Sequence, residues 1–372
     1  MFQFRLPSWA SLGSSNPLNI PPVHIHSIES LPEKRARTLK HLLKGNHINH
    51  SLFSNNDYDS YNPISHILSA YFVLGASSTQ LNDLYTSVSE STHLSPWRDS
   101  PSEIAKHDWA SQLGEASYQR AWVDFFEDAL VQRSYNWKSV VSDLLLNNEH
   151  PLIHRLITTK GAGEPLIHLA NAVELDSRTL AMEALAATAV CAVEPEESKF
   201  SEKQPVPSDS IFTLLERVAS DPTISSNGGY QNAWQPTSHT RTHLAECQKA
   251  AVALYFNSPS SETAQILLLT HSIRTLLTTI IPPQFHKSIL MQWWKYTLRV
   301  YTTVGRPVVN LDRVKLVDLH HVNGWEGVRE SVLQKGQNGA RLGMVVRALE
   351  GMSQTWGDEN KFFLRAAVGL SS

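Results

Sequence analysis

The residues best suited to chemistry in this chain are its histidines, 17 in all against 10 tyrosines and 12 phenylalanines. Imidazole titrates near neutral pH and is the commonest metal ligand, so this excess favours acid–base work or metal binding. Four of them sit in apolar surroundings on four separate segments. His66 lies in PISHILSAY, His168 in EPLIHLANAVE, His271 in AQILLLTHSIRTLLTTI, and His50 opens HSLFS. A buried imidazole must hydrogen-bond or bind a metal, because leaving it unsatisfied is costly. One such residue reads as an ordinary core histidine. Four on separate helices read as a site converging inside a bundle, where bundles build their metal centres.

Two further pairs have i,i+4 spacing, His150/His154 and His239/His243. On a helix such residues stand about 6 Å apart and can share one metal. Pro151 requires the first pair to lie in a first turn, and the second pair opens a helix after a loop. Cys191 and Cys247 fall in apolar, helix-like stretches and are expected to be reduced core residues. Several familiar machines are missing. No G-x-G-x-x-G follows a strand, and there is no Walker motif, H-E-x-x-H, G-x-S-x-G or C-x-x-C. No flavin or nicotinamide fold is therefore legible.

The elements that must position these residues are helical almost throughout. Hydrophobic spacing of three to four predicts helices over 32–44, 64–74, 79–88, 118–132, 137–146 and 152–157. The pattern continues over 165–175, 178–192, 211–219, 240–256, 262–280, 285–304 and 361–370, with a mixed region between the last two. Ser208 is the expected N-cap of the helix beginning at Ile211. The stretch 308–319 is the one place that admits a minor β element, near the C-terminus. Polar, Pro- or Gly-punctuated loops are expected near 194–207 and 221–237. The expected fold is all-α, a single-domain multi-helix bundle over residues 1–372.

Composition sets the outer bounds. The net charge is −3 and charged residues make up 18% of the chain, which gives nucleic acid and anionic membranes no footing as partners. No apolar run reaches the roughly 20 residues of a membrane span. The first twenty residues lack the apolar core of a secretory signal. An intracellular, cytoplasmic protein is the expectation.

At these histidines the sequence resembles a known family. NHINHSLFSNNDYDSYNPISHILSAYFVLGAS is similar to the first hallmark of the questin oxidase-like family, a His-rich run ending in Y-x-LGAS. GAGEPLIHLANAVELDSRTLAMEALAATA is similar to the second, GA-x-HPLIHLGYA-x-E followed by EALA. A weaker match covers LLLTHSIRTLL and WWKYTLRVYTTVGRP. Together these span residues 46 to 307. The resemblance implies an oxidoreductase of fungal secondary metabolism, inserting oxygen into or cleaving a ring of an anthraquinone-like aromatic polyketide. The chemistry implied is of Baeyer–Villiger type or that of a non-haem iron dioxygenase. It implies O2 and a small aromatic polyketide as partners, NADPH in some members, and in at least one type Fe(II) held by four histidines and a carboxylated lysine. Carried over by position, His50, His66, His168 and His271 are the implied ligands, and Asn62 matches the Asn of the His-rich run.

The chain departs from the pattern at several of these places. Tyr61 and Pro63 replace the histidines flanking that Asn, Ile67 replaces the second His of an HH pair, and Glu164 stands where HPLIH has its first His. Trp293 falls at the lysine position, with Lys295 two residues on. Two oxygenase mechanisms are compatible with these residues. Iron could hold O2 and a phenolate side by side, or an electron-rich phenol could reduce O2 itself with histidines as general bases. The ten tryptophans are expected to help bind a flat ring. The alternative class is a helical scaffold or binding protein that keeps the fold without the metal.

Overall fold

A computed structural model describes residues 18–54, 61–92, 94–192, 205–221 and 229–371. The described residues form α1 (Lys34–Asn49), α2 (Ile64–Leu74), α3 (Ser78–Ser91), α4 (Gln119–Gln132), α5 (Trp137–Leu145), α6 (Glu164–Leu175) and α7 (Arg178–Val190). The chain continues through α8 (Ile211–Ser220), α9 (Thr240–Asn257), α10 (Ser261–Leu277), α11 (His286–Thr303) and the short α12 (Asp312–Lys315). It ends in α13 (Gly324–Lys335), α14 (Ala340–Trp356) and α15 (Phe362–Ser371). The all-α reading holds, and the hydrophobic period placed most of these helices to within a turn. No helix of the described residues is long and apolar enough to cross a membrane.

Local chemistry explains the boundaries. Gly75, at φ 101°, closes α2 in a left-handed conformation that costs glycine nothing. Two residues on, the Ser77 hydroxyl accepts from Gln80 N while the Gln80 side chain accepts from Ser77 N, a reciprocal cap that starts α3. Ser260 and Thr263 do the same for α10. Gly163 (φ 77°) and Pro165 open α6, the glycine turning the chain and the proline occupying a first-turn position that has no N–H to satisfy.

Four helices form a closed ring of contacts: α2 on α6, α6 on α10, α10 on α14, and α14 back on α2. Nearly every residue of α6, α7 and α10 is buried, the signature of helices apolar all round. The remaining helices shield the ring, α7 and then α4 and α5 outside α6, α1 and α3 beside α2, α9 and α11 beside α10, and α13 and α15 beside α14. Cys191 and Cys247 are free and buried.

Three expectations change. The stretch 308–319 forms no strand. It holds the short helix Asp312–Lys315, and Val308 and Leu316 are 75% and 83% exposed, with no neighbouring strand to pair with. Among the described residues the only β pairing is two isolated bridges, Phe53–Tyr61 and Ser208–Trp234. The N-cap of α8 is Ser210, whose hydroxyl accepts from Thr213 N; Ser208 is spent on the bridge to Trp234. The region read as mixed contains α13 and α14. Of the two expected loops, residues 194–204 and 222–228 lie outside the described residues, and Gly229–Asn232 makes a single 3-10 turn.

Candidate functional site

The first half of the chain brings a set of titratable side chains into one place. Tyr61, at the entry to α2, lies 5.3 Å from His66 of α2, ring to ring and nearly parallel. The His66 and His168 rings are also 5.3 Å apart. The Tyr61 hydroxyl is 2.6 Å from His168 Nδ1. His168 Nε2 lies 2.9 Å from Glu183 Oε2, donated from the buried face of α6 to the buried face of α7. Glu183 turns its other oxygen, Oε1, to His47 Nδ1 at 2.9 Å, and His47 Nε2 reaches Glu127 Oε1 of α4 at 3.2 Å. Trp97 Nε1 holds the backbone carbonyl of His47 at 2.7 Å, fixing the last turn of α1.

The protonation states follow from the partners. Burial would push Glu183 up, but hydrogen bonds from His168 and His47 overcome it and hold the carboxyl at about 2. Burial would pull His47 down, but Glu127 and Glu183 outweigh it and raise the imidazole to about 9. His47 is thus an imidazolium donating from both ring nitrogens. His168 is lowered by burial, against the pull of Glu183, so it is neutral at pH 7. Burial, then Glu164 and Glu183, push the Tyr61 phenol well above its ordinary range. A neutral phenol beside a neutral imidazole fixes the polarity. Tyr61 O–H donates to His168 Nδ1, and His168 Nε2–H donates to the Glu183 carboxylate.

His66 completes the group. Its Nδ1 lies 3.1 Å from Glu164 Oε2, and its Nε2 is buried with no partner among the described residues. Glu164 is the first residue of α6, where a carboxylate also complements the helix dipole. Glu164 faces Nδ1 at ion-pair distance, and Nε2 is the ring nitrogen of the site left without a partner among the described residues. Phe53 packs on Tyr61 at 5.0 Å and supplies the neighbouring apolar wall.

Of the five residues expected from the sequence, His66 and His168 come together. Asn62 is a structural pin. Its Nδ2 donates to Asn46 Oδ1 and to Ser51 O, and its Oδ1 accepts from Ile64 N, tying the end of α1 to the start of α2. His50 terminates α1, half-buried, with Nδ1 unpartnered. His271 lies on α10 in a different cluster, against Gly351 and Arg347 of α14.

The i,i+4 pairs are not metal sites of the helical kind. His150 precedes a 3-10 turn (Leu152–Arg155) in which His154 faces Ser288 Oγ at 3.1 Å. His239 is exposed before α9, and His243 Nε2 accepts from Thr237 N at 3.0 Å. Trp293 and Trp294 are fully buried, donating to Ile266 O and Tyr230 O, while Lys295 points to solvent. These tryptophans build core, and the rings at the site belong to Phe53 and Tyr61.

The donor set expected for iron does not fit this arrangement. Both ring nitrogens of His168 are engaged, one by Tyr61 and one by Glu183. His271 sits beside two guanidiniums, Arg347 and Arg274, which would repel a dication. Among the described residues no group of three or more His, Cys, Asp or Glu is placed to hold a metal ion. A surface cleft between α4 and α5, lined by Ala129, Gln132, Arg133, Val140, Asp143 and Leu144, contains none of the residues named above.

Sequence reasoning missed His47, Glu127 and Glu183. The signal for Glu183 was present, a lone carboxylate in the Ala-rich helix RTLAMEALAATAV, since a charge in an all-buried helix must be paired. Residues 60–349, well over half of the chain, match the family model described as Questin oxidase-like. No curated protein matches the chain.

Proposed function

The chain belongs to the questin oxidase-like family, whose name implies an oxidase-type enzyme, and on that premise we propose that it oxygenates a phenolic aromatic polyketide by acid–base chemistry at His66, His168 and Tyr61. The observation that carries the reading is the free His66 Nε2 beside the Tyr61–His168–Glu183 array. A carboxylate beside Nδ1 favours the His66 tautomer with a bare Nε2, the arrangement of a general base oriented by a third group. His66 takes a proton from the substrate phenol or its activated C–H. The resulting anion is electron-rich enough to pass an electron pair to O2, so a carbon–oxygen bond forms and O2 is reduced to a carbon-bound peroxide. His66 returns the proton to that peroxide. Substrate supplies both electrons, so this step needs no external reductant. Tyr61 lies within ring contact of His66, and its hydroxyl is fixed by His168 and Glu183 to orient the substrate's oxygen. Ring opening follows when the outer oxygen of the peroxide attacks a neighbouring ring carbonyl and a second carbon–oxygen bond forms. The O–O bond and the ring C–C bond between the two carbons then break together, leaving one oxygen of O2 on each carbon as a ketone and a carboxylate.

The test is oxygen uptake by the purified chain against a panel of anthraquinones and their hydroquinone forms, with and without NADPH, in 18O2. The expected result is one O2 per substrate, both labelled atoms retained, no nicotinamide requirement, and a loss of about 10²-fold or more in kcat for His66→Gln. Strict dependence on NADPH, or wild-type turnover in His66→Gln, overturns the acid–base reading. Absence of turnover across the panel favours the scaffold alternative.

A further inference from the structure

A second polar cluster lies where α6, α10 and α14 meet beneath the segment 18–28. Arg274 of α10, Arg347 of α14 and His271 of α10 are 4%, 9% and 9% exposed. Their charges are unevenly matched. Arg347 Nη2 donates to the Glu174 carboxylate of α6. Arg274 has no carboxylate in hydrogen-bond contact among the described residues; its Nη2 donates to Pro21 O at 2.6 Å. Glu350, on the next turn of α14 from Arg347, faces Arg329 at 3.1 Å. The Nε of Arg274, the Nε of Arg347 and the Nδ1 of His271 are all buried with no partner among the described residues.

Two guanidiniums against one bonded carboxylate leave one positive charge in a low-dielectric interior, where an uncompensated ion is strongly unfavourable. The strain shows in the ionisation of its members. Burial, followed by repulsion from Arg347, brings the Arg274 guanidinium down to about 10. Burial, then Arg347 and Arg274, hold His271 well below its ordinary value, so it carries no charge and offers an N–H from Nδ1 in the tautomer protonated there. Three unused donors and one missing negative charge define what would complete the cluster. Its sign is opposite to that of a metal site.

We propose that Arg274, Arg347 and His271 form a buried binding site for a monocarboxylate, held by the three unpartnered nitrogens. A carboxylate is planar, accepts only, and has about four lone-pair sites for these three donors. Arginine matches it with charge-assisted bonds. One negative charge neutralises the cluster, whereas a phosphate dianion would leave it negative. The segment 18–28 lies against the cluster: its His26 N donates to Glu174 O and its Pro21 carbonyl occupies Arg274. The inference stands apart from the reading of His66 and Tyr61, because it concerns binding and not turnover.

The experiment titrates the whole chain with sodium acetate and with sodium benzoate at constant ionic strength against chloride, reading heat of binding and melting temperature. Saturable binding of a carboxylate, absent with chloride, is expected. Tighter binding of benzoate marks the ligand as an aromatic acid, and equal affinity marks it as a small aliphatic one. Arg274→Gln should weaken binding about tenfold or more. Glu174→Gln, which removes the competing carboxylate, should tighten it. If Arg274→Gln does not fold, the sign of the Glu174→Gln effect decides. No saturable binding to either the wild type or Glu174→Gln, or equal binding in wild type and a folded Arg274→Gln, overturns the proposal.

Discussion

The two polar clusters built on α6 share their chemistry and differ in completeness. Around His168 the carboxylates and imidazoles alternate. Tyr61 bonds His168, His168 bonds Glu183, Glu183 bonds His47, and His47 bonds Glu127 at the surface. Only His66 Nε2 is left over. Around His271 two guanidiniums compete for one carboxylate and three nitrogens are left over. A closed network is a stability element, and breaking it is expensive. An open one is incomplete without something from outside. Within one helix bundle the count of unpartnered nitrogens therefore separates a proton-handling site, poised at one atom, from a charge-handling site that needs a counter-ion.

The sharpest way to break this contrast is at Glu183. It serves two imidazoles while 1% exposed. Glu183→Ala leaves a buried imidazolium with only Glu127, and should cost about 3–5 kcal/mol in urea unfolding. A loss under about 1 kcal/mol would show that the alternating chain contributes little to the fold.

A smaller effect tracks pH. His47 is raised from its ordinary value to about 9, so its ion pairs stabilise fully below about pH 6.5 and that contribution is lost as pH rises through about 9. The urea midpoint of the wild type should fall between pH 7 and 9.5 by the equivalent of about 2 kcal/mol more than that of His47→Gln. Parallel curves for the two proteins would refute the charged His47.

The smallest expected effect tests the packing of the second cluster. A Cβ added at Gly351 would meet His271 Cε1 at 2.5 Å and Arg347 Nη1 at 2.9 Å. Overpacking of this kind costs about 1–3 kcal/mol, which outweighs the roughly 1 kcal/mol that alanine gains in helix propensity. Gly351→Ala should therefore lower the melting temperature, and a rise would mean that His271 and Arg347 have room to retreat.

Much of the fold was legible because most helices carry their apolar residues at a spacing of three to four. The helix α2, Ile64–Leu74, is bounded in sequence by Pro63 and Gly75, and both marks are local. The helix α14 was not legible. Gly343 and Gly351 lower its helix propensity, and they are there because Tyr71 of α2 and His271 of α10 press against its backbone. That reason belongs to partners 80 or more residues away in sequence. At the site, His66 and His168 stood out as imidazoles in apolar helices. Glu183, Arg274 and Glu174 carried a comparable signal, a charge past the first turn of an otherwise apolar helix, and it is informative only when the partner is known.

By itself the sequence determined the class of fold, the buried state of His66, His168 and His271 and the chain's kinship, because period, burial and motif are properties of neighbouring residues. Only the tertiary structure decided which histidines meet. His66 and His168 share one site because α2 and α6 pack side by side. His271 takes the opposite electrostatic surroundings because α14 brings Arg347 to it. The sign of the charge beside an imidazole, which decides between a proton acceptor, a metal ligand and an anion donor, is set by helices that meet in space and lie far apart in sequence.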